Sequence, residues 1–212
     1  ALLADDAASL RSQATFRVVP NMNPDGSFRG FIRSNAGGAD LNGEWDRWTR
    51  RGPFLMGTYE APTLERSPEV VHVLKALDLH GCDLYVDVHG DEGIPAIFLI
   101  PTNGIPAWGP RLEGLFRELR AAFLAASPDF QTDLGYGENP FYLRALTLCP
   151  NQVAQRFNCL AVTLEMPFKD TDTTRPDPAQ GWSPSRAKAL GGSLLQAIGD
   201  VLPSLLSEQA GP

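Results

Sequence analysis

Three places in this 212-residue chain combine residue types and spacing that could do chemistry. The first is Val86-Asp87-Val88-His89-Gly90-Asp91-Glu92, an imidazole where an apolar run opens into a glycine-containing turn. Neutral imidazole is a common zinc ligand, and a glycine directly after it lets the backbone approach closely while the ring points outward. The plainer alternative is a histidine satisfied by one of its acidic neighbours. The second place is Leu164-Glu165-Met166-Pro167-Phe168, a carboxylate at the end of an otherwise apolar run, where burial without a partner is costly. Desolvation favours proton uptake by such a carboxyl, which suits a general base acting on a metal-bound water. Here the alternative is an ion pair with an arginine such as Arg186. The third is the loop from Arg33 to Asn42, which gathers Arg33, Asp40 and Asn42 next to Trp45, Arg47, Trp48 and Arg50. An arginine can stabilise an oxyanion, and an asparagine amide can orient a carboxylate.

These residues need elements to position them. Leu84 to His89 alternates, with Leu84, Val86 and Val88 on one face and Tyr85, Asp87 and His89 on the other, so a strand is predicted that ends at His89. Leu160 to Met166 reads as a second strand ending just past Glu165, Ile97 to Pro101 as a short one, and Thr15 to Pro20 as a buried one. Helices are expected over Leu2 to Ser12, from Ser67-Pro68-Glu69 to about His80, over Gly109 to Ala126, over Asn151 to Phe157, and from Ser183-Pro184 through Leu202. Asn21 to Pro62 is rich in glycine, asparagine, aspartate and proline and reads as a long loop, and long ordered loops are usually functional. Strands separated by helices imply an α/β fold. Its central sheet would be mainly parallel or mixed, with helices on both faces and ligands at the carboxyl ends of the strands. His89 and Glu165 both fall at such ends.

Composition narrows the partners. With 43% apolar residues the chain can bury one good core, and its net charge of -7 argues against a nucleic-acid or anionic-membrane surface. A peptide or small molecule is the expected substrate. No apolar stretch of roughly 18 residues is evident, so no membrane span is expected. Cys82, Cys149 and Cys159 lack metal-like spacing and read as free thiols, which fits a reducing, cytoplasmic compartment. Gly-x-Ser-x-Gly is absent and no cysteine has an evident histidine partner, which argues against a serine or cysteine hydrolase.

The succession Asn23-Pro24-Asp25-Gly26, Arg33, Asp40-Leu41-Asn42, Asp87-x-His89 and Thr163-Leu164-Glu165 resembles the zinc metallocarboxypeptidase family in order and spacing. The wording around Asn21-Met22-Asn23-Pro24-Asp25-Gly26 and Leu164-Glu165-Met166-Pro167 is most similar to the bacterial relatives of the cytosolic carboxypeptidases. The resemblance implies zinc, with His89 as its third ligand and Glu165 as general base and proton shuttle. It implies that Arg33 stabilises the oxyanion, that Asp40 orients the first zinc histidine through a hydrogen bond, and that Asn42 holds the carboxylate of a peptide or protein C-terminus. The tyrosine that covers the substrate would be Tyr142, with Tyr136 a few residues away.

Two departures from the family pattern carry expectations of their own. The His-x-x-Glu motif that supplies the first two zinc ligands is absent, and His72 and His80 fall on a predicted helix where they serve packing or solvent. Residues 1–212 are therefore expected to be the C-terminal portion of a single catalytic domain. Gly43 stands where the family has an arginine that grips the substrate carboxylate, so an amidohydrolase acting on acylated amino acids is the related alternative. A peptide-binding pseudoenzyme is the non-catalytic one.

Overall fold

The structure, a computed structural model, describes residues 2–46, 52–54, 57–136, 145–172 and 174–207; at 52–54 and 57–59 it describes the backbone alone. A turn of 3-10 helix at Asp5–Ala7 runs into α1 (Ala8–Gln13), where a helix is predicted. Thr15 to Pro20 departs from the prediction. It forms no strand, and Val18 and Val19 are 66% and 54% exposed. A β-branched run becomes a strand only when a neighbour takes its backbone N–H and C=O groups.

The predicted loop after Asn21 contains structure of its own. Helix α2 (Pro24–Arg29) starts on Asn23, whose side-chain oxygen accepts from the Gly26 N–H at 2.9 Å, and stops at Gly30 with φ 75°. Strands β1 (Gly52–Phe54) and β2 (Gly57–Tyr59) form an antiparallel pair. Helix α3 (Pro68–His80) begins where its proline and acidic first turn predict, with Val70 and Leu74 buried. Ser67 sits at its N-cap, but the hydroxyl makes no capping bond and is buried without a partner.

The sheet that carries the candidate site is formed by β3 (Leu84–Asp91), β4 (Phe98–Pro101) and β5 (Leu160–Pro167), in the order β3-β5-β4. Strand β5 runs parallel to β3, from Leu84↔Leu160 to Asp91↔Pro167, and antiparallel to β4. The sheet is mixed. Strand β3 continues two residues past His89, because its ladder with β5 persists to Asp91.

Period-two alternation sends Leu160, Val162 and Leu164 to one face and Ala161, Thr163 and Glu165 to the other. The first face packs against α4 (Pro110–Ala126), whose Leu112, Leu115, Leu119 and Phe123 recur at helical spacing and are buried. The opposite side holds α5 (Cys149–Phe157), whose Cys149 and Val153 cluster with Val70 and Leu74 of α3 and with Leu41 and Trp45. Helix α6 (Pro184–Ser207) closes the first face with Leu190, Ala197, Val201 and Leu205. Its 24 residues, with a mean hydropathy of 1.3 in the most apolar window, are long and apolar enough to cross a membrane, contrary to the expectation of none. In this fold those leucines and valines share a core with α4.

Candidate active site

The parallel register sets His89 directly beside Glu165 at the carboxyl ends of β3 and β5. The imidazole Nδ1 lies 3.5 Å from Glu165 Oε1, and Nε2 lies 2.9 Å from Asp87 Oδ2. Asp87 and His89 share a face because they are two residues apart on a strand. Holding Nε2 on a carboxylate fixes the ring's orientation and turns Nδ1 toward Glu165. Burial pulls the ring's pKa down, but the hydrogen bonds to Asp87 and Glu165 outweigh it and hold the pKa up at about 10. Protonated on both nitrogens, the ring bridges two carboxylates. A cation at Nδ1 would take the place of that proton.

Glu165 is 4% exposed, and its Oε2 is buried with no hydrogen-bond partner. Arg186 does not serve it: that guanidinium pairs instead with Asp129 at 2.8 Å and Asp170 at 2.7 Å. Phe98 stands opposite Glu165 in the β4 register and meets Tyr136 edge-on, with ring centroids 5.2 Å apart. The Tyr136 hydroxyl donates to Asp91. Gly90 has a specific steric reason, since a Cβ there would lie 2.5 Å from the Phe168 ring.

A second group of residues is built on the loop after α2. Arg33 Nε donates to Asp40 Oδ2 at 3.0 Å, and Asp40 Oδ1 accepts from the Asn42 N–H at 3.1 Å. Asn35 shapes the turn between them. Its side-chain oxygen accepts from Gly37 and Ala39 N–H, and its amide donates to the Arg66 carbonyl and to Glu69. Asn23 fastens the loop from the other side by donating to the Ser34 carbonyl at 2.9 Å. Asn42 Oδ1 is buried with no hydrogen-bond partner, and Gly43 is buried, its N–H bonded to the Asp40 carbonyl at 3.0 Å.

The two groups are joined through the start of α5. The Asn42 carbonyl accepts from the Cys149 N–H at 3.0 Å, and the Cys149 thiol meets the Tyr85 hydroxyl at 3.1 Å. Trp45 packs edge-on against Tyr85 with centroids 6.2 Å apart. Tyr85 precedes Asp87 by two residues, on the same face of β3. Burial, together with Asp87, pushes the Cys149 thiol well up, so it stays protonated.

Of the sequence-predicted residues, the structure therefore brings together His89 with Glu165, and Arg33 with Asp40 and Asn42. Tyr142 lies outside the described residues. The plainer alternative for His89, an imidazole satisfied by an acidic neighbour, holds in this structure, and the neighbour is Asp87. Phe98 was missed, because its place beside Glu165 depends on antiparallel pairing across the chain. His72 and His80 are exposed on α3, as expected.

The donor set fits zinc in part. His89 Nδ1 is one nitrogen that could serve a cation, whereas a catalytic zinc site keeps about three protein ligands; beside it the Glu165 Oε2 atom is buried without a partner. Among the described residues no group of three or more His, Cys, Asp or Glu side chains converges as a metal site.

Comparison with known proteins places this arrangement. The family model for zinc carboxypeptidases matches residues 4–127. A metallo-carboxypeptidase from Pseudomonas aeruginosa, solved in complex with (2-guanidinoethylmercapto)succinic acid, is 42% identical with a TM-score of 0.77; the match covers 88% of this chain and 46% of that one. A metallo-carboxypeptidase from Burkholderia cenocepacia is 39% identical with a TM-score of 0.78, covering 95% of this chain and 50% of that one. An uncharacterised protein of Zymomonas mobilis is 43% identical over 199 residues, 94% of this chain and 48% of that protein. The chain thus spans about half the length of these relatives, and it belongs to the zinc carboxypeptidase family.

Proposed function

We propose that this chain is the general-base half of a zinc-dependent hydrolase that cleaves C-terminal peptide or isopeptide bonds, the remaining metal ligands coming from polypeptide outside these 212 residues. The observation that carries the reading is Glu165, buried beside a strand-end histidine with one oxygen unpartnered. A buried carboxylate left unsatisfied costs stability, and a proton-transfer role supplies a reason to keep it.

His89 offers Nδ1 to the metal while Asp87 fixes the ring. When bound, zinc would polarise the scissile carbonyl and make a water more acidic. Glu165 accepts a proton from the attacking water at Oε2 and returns it to the leaving amine. Arg33, oriented by Asp40, faces the negative charge that develops on the carbonyl oxygen, and the Asn42 amide orients the substrate carboxylate. In this structure Asp40 is engaged with Arg33, and its support of a first zinc histidine rests on the family resemblance.

Substrate choice is where Gly43 enters. The Pseudomonas relative is described with a ligand bearing two carboxylates and a guanidine, and by similarity a free carboxylate is proposed for the substrate here. Glycine at 43 favours a second reading, hydrolysis of acylated amino acids or amides with weaker carboxylate recognition. The test, made on the protein that supplies the remaining metal ligands, compares a blocked dipeptide with its C-terminal amide. Chelator-sensitive cleavage of the acid alone supports the carboxypeptidase reading, equal cleavage of both supports the amidohydrolase, and cleavage that survives chelation contradicts both. In the same assay Glu165→Gln should lower kcat by about 10²–10⁴-fold with little change in KM.

A further inference from the structure

At the opposite end of the sheet from His89 and Glu165, two cysteines stand just before neighbouring strands. Cys82 stands two residues before Leu84 and Cys159 one residue before Leu160, and Leu84 pairs with Leu160 in the parallel ladder. A one-residue diagonal across such a pair spans about 6 Å between Cα atoms, within the range a disulfide bridges. Both are free, and each thiol lies near enough to the other to affect its proton affinity. Cys159 is buried and Cys82 half-buried. Both line a cavity of about 220 Å³, together with Asp83 and Arg111.

The surroundings differentiate the two sulfurs. Cys159 sits directly after Asn158, a left-handed residue at φ 47° whose carbonyl accepts from Arg111, and its own sulfur faces the Val153 carbonyl at 3.8 Å. The neighbouring Cys159 draws the Cys82 thiol down, against burial and the charge of Asp83, while Cys82 and burial push Cys159 up. A half-buried thiol that solvent reaches, beside a buried one that it does not, is the arrangement of an attacking and a resolving cysteine. Cys149, fully buried and bonded to Tyr85, has no such access.

We propose that Cys82 and Cys159 form a thiol–disulfide modification site whose oxidant is a small disulfide of the glutathione class, with the cavity admitting it to Cys82. The Cys82 thiolate attacks one sulfur of the small disulfide; the S–S bond breaks, a mixed disulfide forms, and the first thiol leaves as a thiolate that takes a proton from solvent. Cys159 then gives up its proton to solvent and attacks Cys82 Sγ, forming the Cys82–Cys159 bond and releasing the second small thiolate. Two protein thiols are oxidised, and one small disulfide is reduced to two thiols. The bond ties β3 to β5 about 20 Å along the strand from His89, and the inference stands independently of the hydrolytic reading.

The experiment incubates the chain with glutathione disulfide at neutral pH, followed by alkylation, intact mass and peptide mapping. The expected result is loss of the mass of two hydrogens, Cys82 and Cys159 peptides linked, and Cys149 alkylated as a free thiol only after unfolding. Cys159→Ser should halt at one glutathione adduct on Cys82, and Cys82→Ser should give neither adduct nor link. A wild-type chain that keeps its native circular dichroism and stays reduced, or that stops at the adduct on Cys82, overturns the proposal. So does a link or adduct on Cys149, or a Cys82→Ser chain that reacts at Cys159 as fast as the wild type. Because the wild-type mapping needs no substitution, the proposal is tested even if a variant fails to fold.

Discussion

Asp87 and Glu165 hold the His89 ring by its two nitrogens, and this decides how the site answers pH. The folded pKa is raised from 6.5 to about 10, so between those values the folded chain binds a proton that the unfolded chain does not. The stability this contributes is complete below about pH 6.5 and is lost as pH rises through 10, following proton linkage. NMR titration of the imidazole without added metal should show it protonated through neutral pH, and Asp87→Asn should bring the midpoint down toward the ordinary histidine value. The same substitution should weaken zinc binding by about 10–100-fold in the protein that holds the complete site, the usual effect of removing a carboxylate behind a ligating histidine. His89 and Glu165 were legible in the sequence because each ends an apolar run with a group that needs a reason to be there. Asp87 was less so, because alternation names the residues that share a face but not which of them bond.

The elements show the same division. The strands of the sheet and the four longer helices followed from hydrophobic period and proline starts, since their apolar faces meet buried clusters on the two sides of the sheet: Leu119 and Phe123 of α4 are fully buried in the cluster shared with β5 and α6. Phe123→Ala should therefore cost about 3–5 kcal/mol of unfolding free energy, read by urea titration. Thr15 to Pro20 was misread because apolar alternation reports a capacity to pair, and the partner must come from elsewhere. The loop carrying Arg33 was legible as turn chemistry but not as an anchored structure, because Asn23 reaches Ser34 and Asn35 reaches Arg66 and Glu69 across the sequence. Gly26 makes that anchoring possible: a Cβ there would stand 2.2 Å from the Asn23 amide nitrogen and 2.7 Å from the Ser34 carbonyl. Since the second contact is backbone, Gly26→Ala should destabilise the chain by about 1–3 kcal/mol. In the protein with the complete site it should also reduce kcat, by loosening Arg33, more than it changes zinc content.

At the scale of the whole molecule, one imidazole, its supporting carboxylate and a buried glutamate are gathered at one end of the sheet, and the chain spans about half of the relatives compared with it. A catalytic zinc site keeps about three protein ligands. The 212 residues alone should accordingly bind zinc weakly and turn over no substrate. The protein that supplies the remaining ligands should hold zinc stoichiometrically. Metal analysis after dialysis, comparing that protein with its His89→Ala variant, tests the central claim most directly. The account predicts about one zinc per chain in the wild type and a loss of most of it in the variant, as expected when one of three ligands is removed. Equal zinc in both, or none in either with full hydrolytic activity, would contradict it.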